Sequence, residues 1–255
     1  MKVTLTRVTT DPVDAIEEAA CNCYDSKPTD GKIMKSCYRS GHHSVLEFAN
    51  FTFHIEGVSR ALLAQLTRHR HAGFAVRSQR YCNEDGFEYV IPPSIRNDLA
   101  ACTKFKETVD TIAEAYSALQ EYNISNEDAR YILPNACCTT LEFTCNGREL
   151  IHICNERLCT RAQWEIRSLV TLMVKSVAEY NEQCAAFSLF LVPKCEVLGL
   201  CTEHNCCGRN PKHIDVMNDY NRFKQVKTLA KRFKDGYITA EKLASEFYDN
   251  FCTDI

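Results

Sequence analysis

Residues 48–69, FANFTFHIEGVSRALLAQLTRH, join two different periodic patterns within one short segment. Residues 48–56 alternate in polarity and include several aromatic side chains, which is typical of a β-strand. Gly57 is predicted to end this strand. Ser59 is predicted to cap a helix that continues to about His69. The segment therefore predicts a strand that leads directly into a helix.

Strands and helices alternate along the rest of the chain without a regular β-α-β order. Further strands are predicted at residues 3–8, 88–91 and 139–145, and residues 71–78 are expected to be irregular. Helices are predicted from apolar residues at helical spacing at 13–23, 32–39, 98–122, 126–133, 147–159 and 162–187. This order indicates an α+β fold rather than a doubly wound sheet.

The last part of the chain differs in composition from the part before it. Beyond residue 209 the sequence is polar and carries amphipathic stretches. We predict a single mixed domain over residues 1–208, with a central, mostly antiparallel sheet flanked by long helices. A helical C-terminal appendage is predicted over residues 209–255.

Composition excludes several classes of protein. The 255 residues carry a formal net charge of −3, which does not favour nucleic acid or an anionic membrane as a partner. No stretch approaches the roughly 18 consecutive apolar residues of a membrane span. The first residues lack the apolar core of an export signal. We therefore expect a cytoplasmic protein with no membrane and no nucleic-acid partner.

Cysteine is abundant, with 16 residues, yet no C-x-x-C pair occurs. The thiols are expected to be reduced, and most are expected to fill core positions as small apolar groups. One group is close in sequence: Cys195, Cys201, His204, Cys206 and Cys207. Its spacing fits no standard zinc finger, so no metal site is predicted.

A basic segment follows the strand predicted at residues 48–56. No acidic residue occurs between Glu56 and Glu84, whereas the basic residues of this stretch are Arg60, Arg68, His69, Arg70, His71, Arg77 and Arg80. Guanidinium groups suit phosphate because they are planar, permanently charged and bidentate. Small and apolar residues are interleaved with them, which favours a partly buried pocket over a solvated basic face.

A second concentration of polar residues lies within residues 130–167. Its members are Arg130, Asn146, Arg148, His152, Arg157, Arg161, Gln163 and Arg167. Arg148, His152 and Asn155 share one helical face by their spacing. Pairing of single arginines with nearby carboxylates is the alternative interpretation. The chain has no glycine-rich dinucleotide loop and no Walker loop, so side chains must hold any nucleotide.

Residues 68–78, RHRHAGFAVRS, resemble the signature of flavin-dependent thymidylate synthases, which reads R-H-R, seven residues, then S. Gln79, Arg80 and Tyr81 continue the match. Four further segments resemble that family in the same order: GHHSVLE at 41–47, ARYILP at 129–134, NGR at 146–148, and the R-x5-Q-x-E-I pattern at 157–166. The resemblance covers about residues 1–190.

The resemblance implies methylation of dUMP at C5 to dTMP, with 5,10-methylenetetrahydrofolate as carbon donor and NADPH-reduced FAD as hydride source. It implies a homotetramer with active sites between subunits. The implied cofactor-binding residues are His42, Ser44, Arg68, His69, Arg70, Val76, Asn146, Gly147, Arg148 and His152. The implied dUMP-binding residues are Gln65, Arg68, Val76, Arg77, Ser78, Gln79, Arg80, Arg130 and Arg157.

The chain departs from the family pattern at a few positions. The middle of the motif usually reads Ser-x-Asn-Glu, but residues 73–76 read GFAV, so Val76 removes a carboxylate from the nucleotide pocket. His152 stands where Asn is usual, and Arg161 stands where His is frequent.

The family route requires no cysteine nucleophile. Arg157 is the candidate catalytic residue, because a guanidinium at the uracil ring stabilises negative charge there. Cys137 and Cys138 are interpreted as structural, since nothing nearby in sequence lowers their pKa. Two alternatives remain open: a related flavoprotein without methyl transfer, and a basic nucleic-acid-binding module.

Overall fold

A four-stranded sheet is the organising element of the chain, and the computed structural model describes residues 1–213. The strand order is β1-β2-β4-β3. The strands are β1 (Lys2–Val8), β2 (Asn50–Ser59), β3 (Ala72–Val76) and β4 (Cys138–Asn146). Thr52 contacts Thr144 at 3.0 Å and His54 contacts Glu142 at 2.7 Å, so residue numbers rise along β2 as they fall along β4. The sheet is antiparallel.

Helices account for most of the remaining regular structure. They are α1 (Pro12–Tyr24), α2 (Lys32–Arg39), α3 (Arg60–Leu66), α4 (Pro93–Arg96), α5 (Leu99–Glu121), α6 (Asn126–Ala129), α7 (Gly147–Arg157), α8 (Trp164–Ala178), α9 (Glu182–Ser188) and α10 (Lys194–Leu198). Two 3-10 helices cover His43–Phe48 and Arg130–Ile132. The predicted α+β class, with an antiparallel sheet and long helices, is confirmed.

The strand predictions were wrong in three places. Residues 72–76, which were predicted to be irregular, form β3. They do so because β4 offers them backbone hydrogen-bond partners, which a prediction from local propensity does not take into account. The strand predicted at residues 88–91 is reduced to one bridge between Tyr89 and Cys137. Gly57 does not end β2. With φ of 67° it lies inside the strand, which continues to Ser59.

Helix ends differ from prediction where side chains cap the backbone. The long helix predicted at 162–187 is divided into α8 and α9. Asn181 begins α9 by accepting the N–H of Cys184 at 2.7 Å. The helix predicted at 126–133 is α6 followed by a 3-10 turn. The predicted helical appendage falls almost entirely on residues 214–255, outside the described residues, and the boundary at residue 208 stays a prediction.

The chain divides into two compact units. Unit 1 consists of Met1–Thr6 and Thr52–Thr144, and unit 2 of Arg7–Phe51 and the residues from Cys145 onward. The core of unit 1 includes Phe53, Ile55, Leu62, Tyr116, Leu141 and Phe143. The core of unit 2 includes Ile16, Met34, Phe51, Ile153, Ile166, Met173 and Phe187. Among residues 1–213, no helix has both the length and the apolar character needed to cross a bilayer.

A buried carboxylate joins α1 to the start of α2 in unit 2. Glu17 is fully buried, and its oxygens accept backbone N–H groups of Thr29 at 2.5 Å, Ile33 at 2.8 Å and Met34 at 3.2 Å. Burial by itself raises the pKa of Glu17, but these hydrogen bonds outweigh it and lower the pKa below its ordinary value. Glu17 therefore satisfies the free N–H groups at the beginning of α2.

We expect Glu17→Gln to lower the free energy of unfolding by about 1–3 kcal/mol at pH 7, because an amide presents an NH2 group to N–H donors. Because the pKa of Glu17 is lower in the folded state, its ionised form stabilises the fold above about pH 4.5. This contribution to the free energy of unfolding is lost as the pH falls through the folded-state pKa. Urea unfolding between pH 3 and pH 7 should show this pH dependence in the parent protein and a weaker one in the variant. The exposed neighbour Glu18 provides the control, Glu18→Gln, and an equal effect of both substitutions would contradict the assigned role.

Candidate active site

The R-H-R segment, residues 68–70, lies between α3 and β3 in unit 1. Ser59 caps α3 by accepting the N–H of Leu62 at 3.0 Å, as the sequence predicted. The helix ends at Leu66, earlier than expected, so the segment follows the helix instead of forming its last turn. Arg68 and Arg70 are exposed, while His69 between them is buried. The two guanidinium groups are therefore accessible to an anionic ligand.

The end of β3 is held by an arginine network within unit 1. The Nη2 group of Arg60 donates to the carbonyl of Arg77 at 2.9 Å. Arg77 donates through its backbone N–H to the carbonyl of Thr140 at 2.9 Å, and its Nε lies 3.2 Å from a carboxylate oxygen of Glu84. Glu84 is buried, with 7% exposure. These contacts fix the backbone immediately after Val76.

Glu127 brings two predicted nucleotide-binding arginines together. Arg80 makes a two-pronged contact with its carboxylate, with Nε at 2.9 Å from one oxygen and Nη2 at 3.1 Å from the other. Arg130 donates from Nε to the backbone carbonyl of Glu127 at 3.1 Å. Tyr81 lies beneath the guanidinium of Arg80, with the ring centroid at 5.4 Å. Arg80 and Arg130, 50 positions apart in sequence, thus meet at one residue.

Ser78 and Gln79 lie in the turn between these two arginine contacts. The Ser78 carbonyl accepts the N–H of Cys82 at 2.9 Å, and its hydroxyl accepts the N–H of Arg80 at 3.3 Å. Gln79 donates from Nε2 to the sulfur of Cys137 at 3.7 Å. Gln65, on α3, donates to the carbonyl of Ala61 at 3.5 Å.

The Cys137 thiol, which accepts a hydrogen bond from Gln79, is protonated at neutral pH. Burial raises the pKa of Cys137 to about 11, with a further contribution from Glu84, and the nearby Arg60 does not offset it. A thiol with such a pKa is almost entirely neutral at pH 7 and is a poor nucleophile. The interpretation of Cys137 as a structural residue agrees with this environment.

Arg60, Glu84 and Glu127 are site residues that the sequence did not assign. Arg60 is half-buried, and burial lowers its pKa, with Arg130 and Arg77 close enough to contribute in the same direction. Its Nε is buried without a hydrogen-bond partner in the part of the chain that the structure describes. The basic segment already contained Arg60. The two carboxylates could not be found from sequence, because their partners are fixed only by folding.

The second predicted set lies in unit 2, around the beginning of α7. Asn146 caps this helix by accepting the N–H of Glu149 at 2.9 Å. Gly147 donates its N–H to the carbonyl of Ala49 at 2.7 Å, and a Cβ there would lie 2.8 Å from the carbonyl oxygen of Leu46. Only glycine permits this approach of α7 to the 3-10 helix His43–Phe48.

His42 and Ser44 lie at the beginning of that 3-10 helix, and both are exposed. Arg148 forms an ion pair with Glu47 at 2.7 Å, at the other end of the same short helix. This contact places the guanidinium of Arg148 beside the segment that carries His42 and Ser44. Three predicted cofactor-binding residues of unit 2, His42, Ser44 and Arg148, therefore lie on two elements that contact each other.

Further along α7, His152 is exposed and Arg157, its last residue, is half-buried. Arg148, His152 and Asn155 follow the predicted helical spacing. The Oδ1 atom of Asn155 is buried without a hydrogen-bond partner among residues 1–213. Within the same residues, no group of three or more His, Cys, Asp or Glu side chains is arranged to hold a metal ion.

Fold and site together define an α+β protein with exposed arginine, histidine and hydroxyl groups and with no glycine-rich phosphate loop in its sequence. The family model described as thymidylate synthase complementing protein matches residues 4–180. A flavin-dependent thymidylate synthase of Nitratidesulfovibrio vulgaris is 42% identical over 191 residues, covering 71% of this chain and 77% of the relative. One from Clostridium tetani is 37% identical over 237 residues, covering 82% and 94% respectively.

A solved structure is similar as well. It is the flavin-dependent thymidylate synthase of Helicobacter pylori complexed with FAD and dUMP, with a TM-score of 0.57 and 26% identity over 69% of this chain and 93% of that chain. The chain belongs to the flavin-dependent thymidylate synthase family. The resemblance inferred from the motifs is thereby confirmed. The ligand role of each residue stays a prediction.

We expect Glu84→Gln to destabilise unit 1 by about 1–3 kcal/mol, because a buried charge-assisted contact to Arg77 is lost. Hydrogen exchange should show weaker protection of the amides of Tyr81 and Cys82, which close the turn after Ser78. Glu88→Gln, at an exposed position a few residues away, is the control. Equal urea midpoints and unchanged exchange for both variants would refute the anchoring role of Glu84.

Proposed function

We propose that this chain catalyses the reductive methylation of dUMP at C5 to dTMP, with 5,10-methylenetetrahydrofolate as carbon donor and NADPH as the source of reducing equivalents for FAD. Family membership supports the reaction class. The observation that carries the proposal is the meeting of Arg80 and Arg130 at Glu127, because it gathers two predicted dUMP-binding residues in one part of unit 1.

The nucleotide phosphate would be held by the guanidinium groups of this cluster. The side chains of Arg80 and Glu127 are each about half exposed. Ion pairs with this exposure contribute only about 0–1 kcal/mol to the free energy of unfolding. A phosphate dianion can therefore displace the carboxylate from Arg80. Arg68, Gln65, Ser78 and Gln79 lie on the segments flanking this cluster and would complete the dUMP site, as the family resemblance implies.

The replacement of the usual motif glutamate by Val76 changes this pocket in a definable way. No carboxylate at position 76 can accept a hydrogen bond from the nucleotide, so contacts there must come from the backbone. The backbone of residues 76–78 is fixed by Arg60, Thr140 and Glu84 through Arg77. Such anchoring would hold the backbone next to Val76 in one conformation before a nucleotide binds.

The residues of unit 2 fit an anionic dinucleotide such as FAD. Ser44 supplies a hydroxyl, Arg148 a guanidinium, and His42 and His152 imidazole rings, and all four side chains are exposed. These are donors for a diphosphate and for flavin heteroatoms. The family resemblance separately implies that Arg68, His69 and Arg70 of unit 1 bind the cofactor. FAD supplies the hydride that completes the methyl group.

Arg157 would polarise the uracil ring. A guanidinium directed at the ring oxygens and N3 stabilises negative charge, so electron density develops at C5, the atom that must attack the one-carbon unit. A guanidinium group at this position would stabilise an anion and would not act as a general base. This route needs no covalent attachment at C6, which agrees with the raised pKa of Cys137.

We further propose a homotetramer with active sites between subunits. Large apolar side chains are exposed on unit 1, which suits a subunit interface: Tyr81, Leu99, Tyr122 and Tyr131. A cytoplasmic location and the absence of a nucleic-acid partner remain expectations from sequence.

The proposal is tested by release of tritium from C5-labelled dUMP in the presence of 5,10-methylenetetrahydrofolate and NADPH. Release that depends on both additions is expected. A yellow protein that oxidises NADPH without tritium release would identify the alternative, a flavoprotein without methyl transfer. A colourless preparation that binds DNA with strong salt dependence would support the nucleic-acid-binding interpretation.

Arg157→Ala should lower turnover about 100- to 1,000-fold, because a group that stabilises charge in the transition state is lost. FAD content, measured by absorbance of the purified protein, should change much less. Arg7→Ala, an exposed arginine on β1, controls for the loss of one charge. Loss of FAD with normal turnover per bound FAD would show that Arg157 acts in the cofactor site instead.

Arg80→Ala should weaken dUMP binding about 10- to 150-fold while FAD stays bound, since a charged hydrogen bond to phosphate contributes about 1.5–3 kcal/mol. Binding can be followed by the change in the flavin spectrum on titration with dUMP. Arg96→Ala, in which a guanidinium bonded to the Ile91 carbonyl is removed, is the control. Unchanged dUMP affinity would remove Arg80 from the nucleotide site.

A further inference from the structure

The side chain of His43 is turned towards the protein, unlike those of its neighbours. His42 and Ser44, both predicted to bind the cofactor, are exposed, whereas His43 between them is half-buried. His43 is the first residue of the 3-10 helix that continues to Phe48. Successive residues of such a helix project about 120° apart, because it has about three residues per turn. Burial of the His43 side chain therefore directs its two neighbours towards solvent.

Two contacts hold the imidazole ring of His43 against Tyr38 of α2. The two rings are stacked, with centroids 5.3 Å apart and an interplanar angle of 17°. The Nε2 atom of His43 lies 3.1 Å from the backbone carbonyl oxygen of Tyr38. A carbonyl oxygen can only accept a hydrogen bond, so Nε2 carries the hydrogen and donates it. One side chain thus makes a ring contact and a hydrogen bond with the same residue.

The backbone between Tyr38 and His43 closes a Schellman turn at the end of α2. Gly41, with φ of 79°, donates its N–H to the Tyr38 carbonyl at 3.2 Å. His42 donates its N–H to the Cys37 carbonyl at 2.9 Å. The Tyr38 carbonyl therefore accepts hydrogen bonds from both the turn and the imidazole. These bonds set the direction in which the chain leaves α2 and enters the 3-10 helix.

Tyr38 is itself anchored in the aromatic core of unit 2. Its ring meets that of Phe190 edge to face, with centroids 4.7 Å apart. The ring centroid of Phe190 lies 6.4 Å from that of Phe187, and Phe187 is stacked on Phe51 at 5.0 Å. Phe51 and Phe187 are fully buried. A continuous series of packed rings therefore connects His43 to the core.

The ion pair of the 3-10 helix supports its other end. It joins Glu47 to Arg148, and exposed ion pairs contribute little to stability. At the beginning of the helix, His42 forms no side-chain capping hydrogen bond within the part of the chain that the structure describes. The contacts of His43 with Tyr38 are therefore the side-chain support at the end of the helix that carries the predicted cofactor-binding residues.

We propose that His43 is a positioning residue of the cofactor site. Its stack and hydrogen bond on Tyr38 hold the beginning of the 3-10 helix, so that His42 and Ser44 are presented to FAD in one orientation. The inference rests on the proposed function, since it takes FAD as the ligand of these two residues. His43 acts through its neighbours, because its own ring and its Nε2 donor are engaged with Tyr38.

His43→Ala should raise the dissociation constant for FAD about tenfold, because FAD must then order a segment that the parent protein already holds. Equilibrium dialysis of the full-length protein against a series of FAD concentrations measures this constant. The KM for dUMP at saturating FAD should stay at the parent value, which a general loss of folded structure would not allow. His204→Ala, which removes an exposed histidine of unit 2, is the matched control.

Two further variants separate the hydrogen bond from the ring contact. His43→Gln keeps an N–H donor at a similar distance from the backbone and should recover part of the FAD affinity. Tyr38→Leu removes the stack but keeps the carbonyl, so it should weaken FAD binding less than His43→Ala does. Because both substitutions remove the same stack, adding His43→Ala to Tyr38→Leu should cost less than His43→Ala costs in the parent.

The outcomes distinguish this inference from the proposed function on which it rests. A parent protein that binds FAD, with His43→Ala and Tyr38→Leu binding it equally well, would overturn the positioning role alone. So would an equal loss of affinity in His204→Ala, or a matching rise in the KM for dUMP. A parent protein that binds no FAD would contradict the proposed function and this inference with it. If circular dichroism shows that His43→Ala is unfolded, His43→Gln and Tyr38→Leu decide the question.

Discussion

Neutralisation of clustered guanidinium groups is the constraint on which unit 1 depends. Arg60, Arg77, Arg80 and Arg130 are brought close together, and such a cluster would repel itself without acceptors between its members. The acceptors are the buried carboxylate of Glu84, the carboxylate and carbonyl of Glu127, and the carbonyl of Arg77. The resulting surface keeps its positive character and has a fixed backbone, as recognition of an anionic nucleotide requires.

The departure of the chain from its family motif has a structural counterpart. Val76 provides no carboxylate, but Glu84, eight residues further along, provides a buried one that holds Arg77. These two carboxylates are not equivalent. Glu84 lies outside the motif and holds the backbone that follows Val76 through its contact with Arg77.

The abundant cysteines fall into two physical classes. Burial raises the pKa of Cys137, Cys145, Cys154 and Cys184, so these thiols behave as small apolar groups of the core. The loop after α10 is different. There Cys207 is exposed, and a hydrogen bond from Thr160 together with the backbone and charge of Arg209 lowers its pKa. The number of cysteines alone did not distinguish these classes, because reactivity depends on solvation and neighbours.

The sequence by itself determined the α+β class and the four literal residues of the family signature. It also located the central part of most helices and strands. Both ends of α2 were predicted correctly, and so was the cap at Ser59. These features rest on interactions between residues near one another in the chain, such as capping, periodicity and turn conformations. Tertiary structure decided the rest. Strand β3 exists because β4 offers it hydrogen bonds, Gly57 continues a strand it was expected to end, and Glu84 and Glu127 became site residues only when folding brought arginines to them. Those outcomes depend on partners distant in sequence, and no local pattern specifies which distant groups will meet.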